Sequence, residues 1–339
     1  MQKVLITILG FLFLSGTCFG EARGTYSPYF AVEADYTYLR RAYSYNMNLV
    51  TAAGGPLHFH PYVQPKDCAK EKGKALISTR DLVERMHFTS GITGSIKIFP
   101  KQDFIWEVQY IGALNWRGEK EKWCIENLNL NGPLAFKTHD YNYANEVKAL
   151  YASNMYTVEL NCWHAITPRY TDYFSVSWVL GARFFDVHEK INLRFTKMFP
   201  TIQTSHYRLK VTNKVLGVQM GGKFECNPYA FLTWGFVGKL GGFSNQTHLR
   251  RVMLDQNDTQ VIQNNNRHSS HFAYMGQFYP FLELRPSKHF FFHIHYQVLY
   301  LGSIATADRN LRFEGSGNAL NQRSHILYHG VTGGIQFNF

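Results

Sequence analysis

Ten stretches of this chain alternate apolar and polar side chains with a period of two, the spacing of a strand that shows one face to an apolar medium and the other to water. The first sets Phe30, Val32, Ala34, Tyr36 and Tyr38 against Glu33, Asp35 and Thr37. The second sets Phe88, Ile92, Ile96 and Ile98 against Thr93, Ser95 and Lys97, and the third sets Phe104, Trp106, Val108, Tyr110, Leu114 and Trp116 against Glu107, Gln109 and Asn115. Further alternating runs cover 156–163, with Glu159 and Cys162 on opposite sides, 174–184 with Arg183, 216–225 with Lys223, 232–240 with Lys239, 272–284 with Glu283, and 290–300 with His293 and His295. The last ends the chain: Val331, Gly333, Ile335, Phe337 and Phe339 face one way, Thr332, Gln336 and Asn338 the other.

None of these apolar faces carries a charge, whereas the opposite faces carry both signs. A Lys or Arg facing lipid at mid-depth costs about 2–4 kcal/mol, so a charge-free face ten times over reads as lipid exposure. The pattern predicts an all-β fold, a transmembrane antiparallel up-and-down barrel of about ten strands. Short proline-bearing turns are expected at Pro100, Pro168, Pro228 and Pro286, and they alternate with long polar stretches at about 40–84, 117–146, 187–205, 243–269 and 303–323. That asymmetry is the one outer-membrane barrels show, with short periplasmic turns and long extracellular loops. A hairpin within 117–146 or 187–205 would make twelve strands.

Composition sharpens the picture. Charged residues are only 17% and aromatics 16%, with 27 Phe and 21 Tyr, which suits a surface divided between lipid and water better than a soluble enzyme. The alternative these numbers leave is a secreted, aromatic-rich β-sandwich. Residues 1–20, with Lys3 followed by an apolar run too short to span a bilayer, read as a signal peptide cut after Gly20, leaving a single domain over 21–339. Cys18 invites a lipoprotein reading, but Ser15 and Thr17 match a lipobox poorly. Phe337 and Phe339 have the form of the C-terminal signal read by barrel-insertion machinery. The expected place is therefore the outer membrane of a Gram-negative-type bacterium.

The net charge of +11 is spread along connecting segments and points to outer-membrane lipid and lipopolysaccharide, or to anionic glycans, rather than to nucleic acid. The basic tracts are Lys66, Lys70, Lys72 and Lys74, then Arg250, Arg251, Arg267, His268, Arg309 and Arg312, with an Asn/Gln-rich patch near 256–266. Cys68, Cys124, Cys162 and Cys226 lack zinc spacing and are expected to form disulfides of undetermined connectivity.

The block TVELNCWHAITPRYTDYFSVSWVLGARFFDVHEKINL at 157–193, followed by NKVLGVQMGGKFECNPYAFLTWGFVGKLG, resembles the core of a porin-like outer-membrane β-barrel family of planctomycetes and chlamydiae. That resemblance implies a barrel and brings no catalytic residues.

Three chemistries can be read from the residues. Glu33, Asp35, Lys97, Glu107, Glu159, Arg183, Lys223, Lys239, Glu283, His293 and His295 are expected to line the lumen, either pairing into a plug or selecting solutes along a narrow path. His293 and His295 could offer two imidazoles to one metal, but no third ligand can be assigned from sequence, and no metal or cofactor is expected. Asp186 and His188 are similar to half of the site in omptin-type outer-membrane proteases, with Glu119 and Glu121 the nearest substitutes for its acidic pair, although Asp186 has lipid-side parity. The expectation is a porin-like or structural surface protein without enzyme chemistry. An adhesin acting through basic loops and an omptin-like hydrolase are the alternatives.

Overall fold

The structure is a computed structural model that describes residues 28–42, 45–52, 75–101, 103–131, 139–166, 173–198, 201–312 and 320–339. The expected signal peptide, Cys68 and the lysines from Lys66 to Lys74 lie outside the described residues.

Among the described residues, twelve strands form one antiparallel sheet: β1 (Phe30–Ala42), β2 (Asn48–Ala52), β3 (Ala75–Ser78), β4 (Thr89–Lys101), β5 (Phe104–Leu130), β6 (Ala144–Ala165), β7 (Phe174–Lys197), β8 (Gln203–Tyr229), β9 (Leu232–Leu254), β10 (Val261–Leu284), β11 (Phe290–Ile304) and β12 (Ser324–Asn338). Ten of them close a ring in the order β5, β4, β1, β12, β11, β10, β9, β8, β7, β6 and back to β5. These are the ten strands legible in the sequence. The other two, β2 and β3, form a small hairpin beside the far end of β5, where Val50 faces Leu130. The helix α1 (Thr79–Glu84) follows β3 and is started by a capping box between Ser78 and Asp81.

The ring closes where the chain ends meet. β1 and β12 pair from Ala31 opposite Asn338 to Ala42 opposite Leu327. The Phe339 amide donates to the Phe30 carbonyl at 2.9 Å, and the two rings stack at 4.7 Å. Closure leaves no lower edge for another chain to pair with. No described helix is long and apolar enough to cross a membrane.

β5 to β10, at 22–27 residues, are much longer than a bilayer requires, and their polarity reverses partway up. In β7, Phe174, Val176, Trp178 and Leu180 point outward while Ser175, Ser177 and Arg183 point inward. From Phe185 onward the order flips: Phe185, Val187, Ile191, Leu193 and Phe195 are buried inside, and Lys190 and Arg194 face out. In β8 the outward residues change from Lys214, Lys210 and Arg208 to Leu216, Val218 and Met220, as the inward ones change from Leu209, Val211 and Val215 to Gln219, Lys223 and Glu225. At about 3.4 Å per residue and a tilt near 40°, the apolar rows from Leu216 to Phe224 span roughly 20 Å, close to the lipid band of such barrels. Beyond that band the wall is built like a water-soluble protein, with greasy side chains inside.

This reversal corrects the expectation of long polar loops at 117–146, 187–205 and 243–269. Most of those residues extend β5 to β10, and the β7–β8 and β9–β10 connections are only 198–202 and 255–260. A second correction concerns Leu114 and Trp116, expected on the lipid face. A bulge between Ile111 and Leu114, with Ala113 at φ 60°, inserts an extra residue and turns both side chains inward. Trp116 is then 1% exposed, and its indole N–H donates to the Leu39 carbonyl at 2.9 Å.

Candidate functional site: a layered, sealed lumen

Three layers fill the ring. At the short-turn end, a cavity of about 130 Å³ is lined by side chains that include Glu33, Lys97, Glu107, Lys223, Glu283, His293 and His295. These come from alternate positions of β1, β4, β5, β8, β10 and β11, because a closed sheet with one greasy face must turn every other residue inward. Lys97 Nζ lies 2.5 Å from Glu33 and 3.9 Å from Glu107, and Lys223 Nζ lies 2.6 Å from Glu225. Glu283 accepts a bond from Arg285.

Above the cavity, Glu159 sits between Arg183 Nη1 at 3.0 Å and Lys239 Nζ at 2.8 Å, with all three side chains at most 1% exposed. Gln219 donates to the same carboxylate at 2.8 Å, Arg183 also donates to Gln277 and Thr157, and its guanidinium lies 4.2 Å over the Phe185 ring. Charges withdrawn from water this far persist only when paired and hydrogen-bonded, and here the pairing forms a diaphragm across the lumen.

Above the diaphragm the interior is mainly apolar, with Trp116, Phe185, Leu209, Phe243, Met275, Leu299 and Tyr328 all buried beside a smaller set of bonded polar groups. The segment after β11 turns into this space and packs Ile304, Ala305, Ala307 and Leu311 there. Three walls hold it. Asn213 of β8 exchanges two bonds with Ala305, Glu189 of β7 accepts from the Ala307 amide at 2.8 Å, and Arg251 of β9 donates to the Asn310 carbonyl at 2.8 Å. Glu189 is itself paired with Arg41 at 2.6 Å and accepts from Tyr151 at 2.8 Å. Burial works to neutralise Arg41, but the adjacent Glu189 carboxylate outweighs it and holds the guanidinium charged; burial raises the Tyr151 hydroxyl well above its usual value.

The side chains expected to line the lumen therefore point inward, and most are paired. Sequence reading missed Arg41, Glu189, Asn213 and Arg251. Arg251, expected to be a surface cation, is 2% exposed and anchors the inward segment. Their common signal is a polar residue at an inward position of a reversed-polarity stretch.

Asp186 and His188 do come together, at 2.9 Å, with Tyr156 donating to Asp186 and Thr212 bonded to the imidazole. They lie on the outer face, since β7 runs without a bulge through this region. Glu119 and Glu121 are bound to Lys148, which is six residues along β6 from Asn154, the partner of His188. That separation is about 20 Å, so Glu119 and Glu121 do not face the imidazole across a cleft. His293 and His295 have ring centroids 6.4 Å apart, and His293 turns to Glu33 and Asp35 instead. Cys162 and Cys226 are free thiols on β6 and β8. An intervening strand puts them beyond the ~7 Å that a disulfide tolerates, which overturns a bond between these two.

No protein-family model and no curated protein matches the sequence. Among solved structures, the outer membrane protease OmpT from Escherichia coli aligns over 94% of this chain and 100% of its own at 9% identity and a TM-score of 0.45. The P. putida toluene transporter TodX aligns over 96% and 94% at 6% identity and a TM-score of 0.33, and the CymD monoaromatic hydrocarbon channel over 93% and 89% at 5% and 0.23.

Proposed function

We propose that this chain is an outer-membrane surface protein whose barrel is a sealed anchor rather than a conduit. The observation that carries this reading is the filled interior: a charge-paired diaphragm topped by an apolar core into which the segment after β11 is pinned. A water path needs polar, solvated walls along its whole length, and the upper half of this barrel has the walls of a soluble core. Of the two branches expected from sequence, structural and porin-like, the packing favours the structural one. The resemblance of 157–193 to the porin-like planctomycete and chlamydial barrels is compatible with a family member that has lost its passage.

A lipid partner is favoured by one row of residues. Lys190, Lys210 and Arg250 lie directly opposite one another on the outer face of β7, β8 and β9, and none has a carboxylate partner among the described residues. Like charges in register repel, so the row favours an anion lying across it. It stands about 15 Å above Leu216, the top of the apolar band, a height suited to phosphate-bearing sugars of outer-leaflet lipopolysaccharide. The outward, cleft-free position of Asp186 and His188 gives a hydrolase no substrate site, and we propose no enzyme activity.

Planar-bilayer recording on refolded protein tests the anchor reading. A silent membrane is the expected result, and steady unit conductance overturns it.

A further inference from the structure

We propose that Glu33, Asp35 and His293 form a binding site for one divalent first-row metal ion at the wall of the lower cavity. Glu33 and Asp35 are inward neighbours on β1, and His293 comes from β11, two strands away. What brings them together is Gly334 of β12, which lies in register between Asp35 and His293. A Cβ at Gly334 would stand 2.2 Å from Asp35 Oδ1, so only glycine leaves the room in which the carboxylate and imidazole meet.

The three ligand atoms lie within 4.8 Å of one another. His293 Nε2 is 2.8 Å from Asp35 Oδ1 and 3.0 Å from Glu33 Oε1. For an ion with bonds of about 2.1 Å, ligands at right angles are about 3 Å apart, so the two separations from His293 match two edges of the triangular face of an octahedron. The remaining positions would be filled by water from the adjoining cavity, which Glu33 and His293 line. Two carboxylates and one imidazole form a hard-to-borderline donor set that suits Mn²⁺, Fe²⁺, Co²⁺ or Zn²⁺ and not a thiolate-seeking ion.

Two further observations point to a missing partner. Asp35 has a fully buried side chain whose Oδ1 meets His293 Nε2 at 2.8 Å, while its second oxygen, Oδ2, accepts no hydrogen bond among the described residues. A buried carboxylate in that condition calls for a cation. Among the described residues, Glu33, Asp35, Glu107, Glu225 and Glu283 face Lys97, Lys223 and Arg285 as fixed cations, a deficit that a bound cation or a protonated His293 would reduce. The diaphragm above returns one positive charge through Arg183 and Lys239 against Glu159. Lys97 occupies the other oxygen of Glu33, Oε2, and leaves Oε1 free to bind.

The test uses the mature chain, refolded in detergent, stripped with chelator and titrated with Zn²⁺ by calorimetry and with Co²⁺ by visible absorption. One equivalent should bind, and Asp35→Asn and His293→Gln should each weaken it by about 100-fold or more. His188→Gln, which removes the exposed imidazole next to Asp186, should leave it unchanged. X-ray absorption at the zinc edge of the wild-type protein should show nitrogen and oxygen ligands near 2.0–2.2 Å with one imidazole and no sulfur, a readout that does not depend on any variant folding. Absence of uptake would mean that His293 serves as an imidazolium between two carboxylates, and the proposal falls. It falls equally if His293→Gln binds as the wild type does, or if the zinc shell contains sulfur.

Discussion

The reversal of polarity along β8 can be tested with three substitutions in one strand. Leu209 is fully buried inside the upper wall, in register with Ile191 and Arg251. Leu209→Ala removes three carbons, worth about 0.8 kcal/mol each in transfer from water, and leaves a cavity among neighbours held by the rigid sheet. The expected loss is about 2–5 kcal/mol, or roughly 30- to 5000-fold in the folded-to-unfolded ratio. Lys210, one residue on, faces water, and Lys210→Ala should change stability by no more than about 0.5 kcal/mol. Met220, ten residues further and 66% exposed on the outer face, lies in register with Leu180 and Leu240 in the middle of the apolar band. Met220→Arg should cost about 2–4 kcal/mol in lipid. Reversible urea unfolding in lipid vesicles, followed by tryptophan fluorescence, measures all three. If Leu209→Ala were as mild as Lys210→Ala, the upper interior would be wet and loosely filled, and the argument for a sealed lumen would fail with it.

Other consequences follow from particular contacts. Arg41→Met strands the buried Glu189 and should cost about 3–5 kcal/mol by the same unfolding assay, while adding Glu189→Gln should recover most of that loss. Charge reversal of Lys190, Lys210 and Arg250 to Glu should weaken binding to lipopolysaccharide vesicles at low salt, with the difference fading as salt is raised; equal binding by the triple variant would remove the lipid role of this row. Burial works to raise the Asp81 carboxyl, but bonds from Lys120 and the Ser78 amide outweigh it and hold it below its usual value. A carboxyl lowered in the folded state stabilises above its unfolded pKa and loses that effect as pH falls through the folded one. The protection of the Leu82 and Val83 amides from hydrogen exchange, relative to the intrinsic rate at each pH, should therefore fall below about pH 4 in the wild type and change less in Asp81→Asn.

The ring was legible because its lipid-facing halves obey one rule, apolar outward and uncharged, in every strand. The same rule concealed the upper halves. Ile191, Leu193 and Phe195 alternate with Lys190, Asn192 and Arg194 as regularly as the lower rows, but with the faces exchanged, so a search for greasy exteriors reads them as polar loop. The bulge at Ala113 was invisible because alternation is lost for only one residue, and Leu114 and Trp116 look as apolar inside as outside. The meeting of Asp35 with His293 requires the register of β1, β12 and β11 and the bare backbone of Gly334, which no local pattern contains. For the same reason Arg251 could not be told from its neighbour Arg250: parity separates them only once the strand is known to continue.

The seam between β1 and β12 sets the order of assembly. Its contacts join residues about 300 positions apart, the longest closure in this ring, and they cannot form until β12 is in place. Until then the sheet has two raw edges and a wide greasy flank with no lipid against it. Open edges and a bare apolar flank are what other chains pair with and stick to, so the longer the sheet stays unshut, the greater its exposure to aggregation.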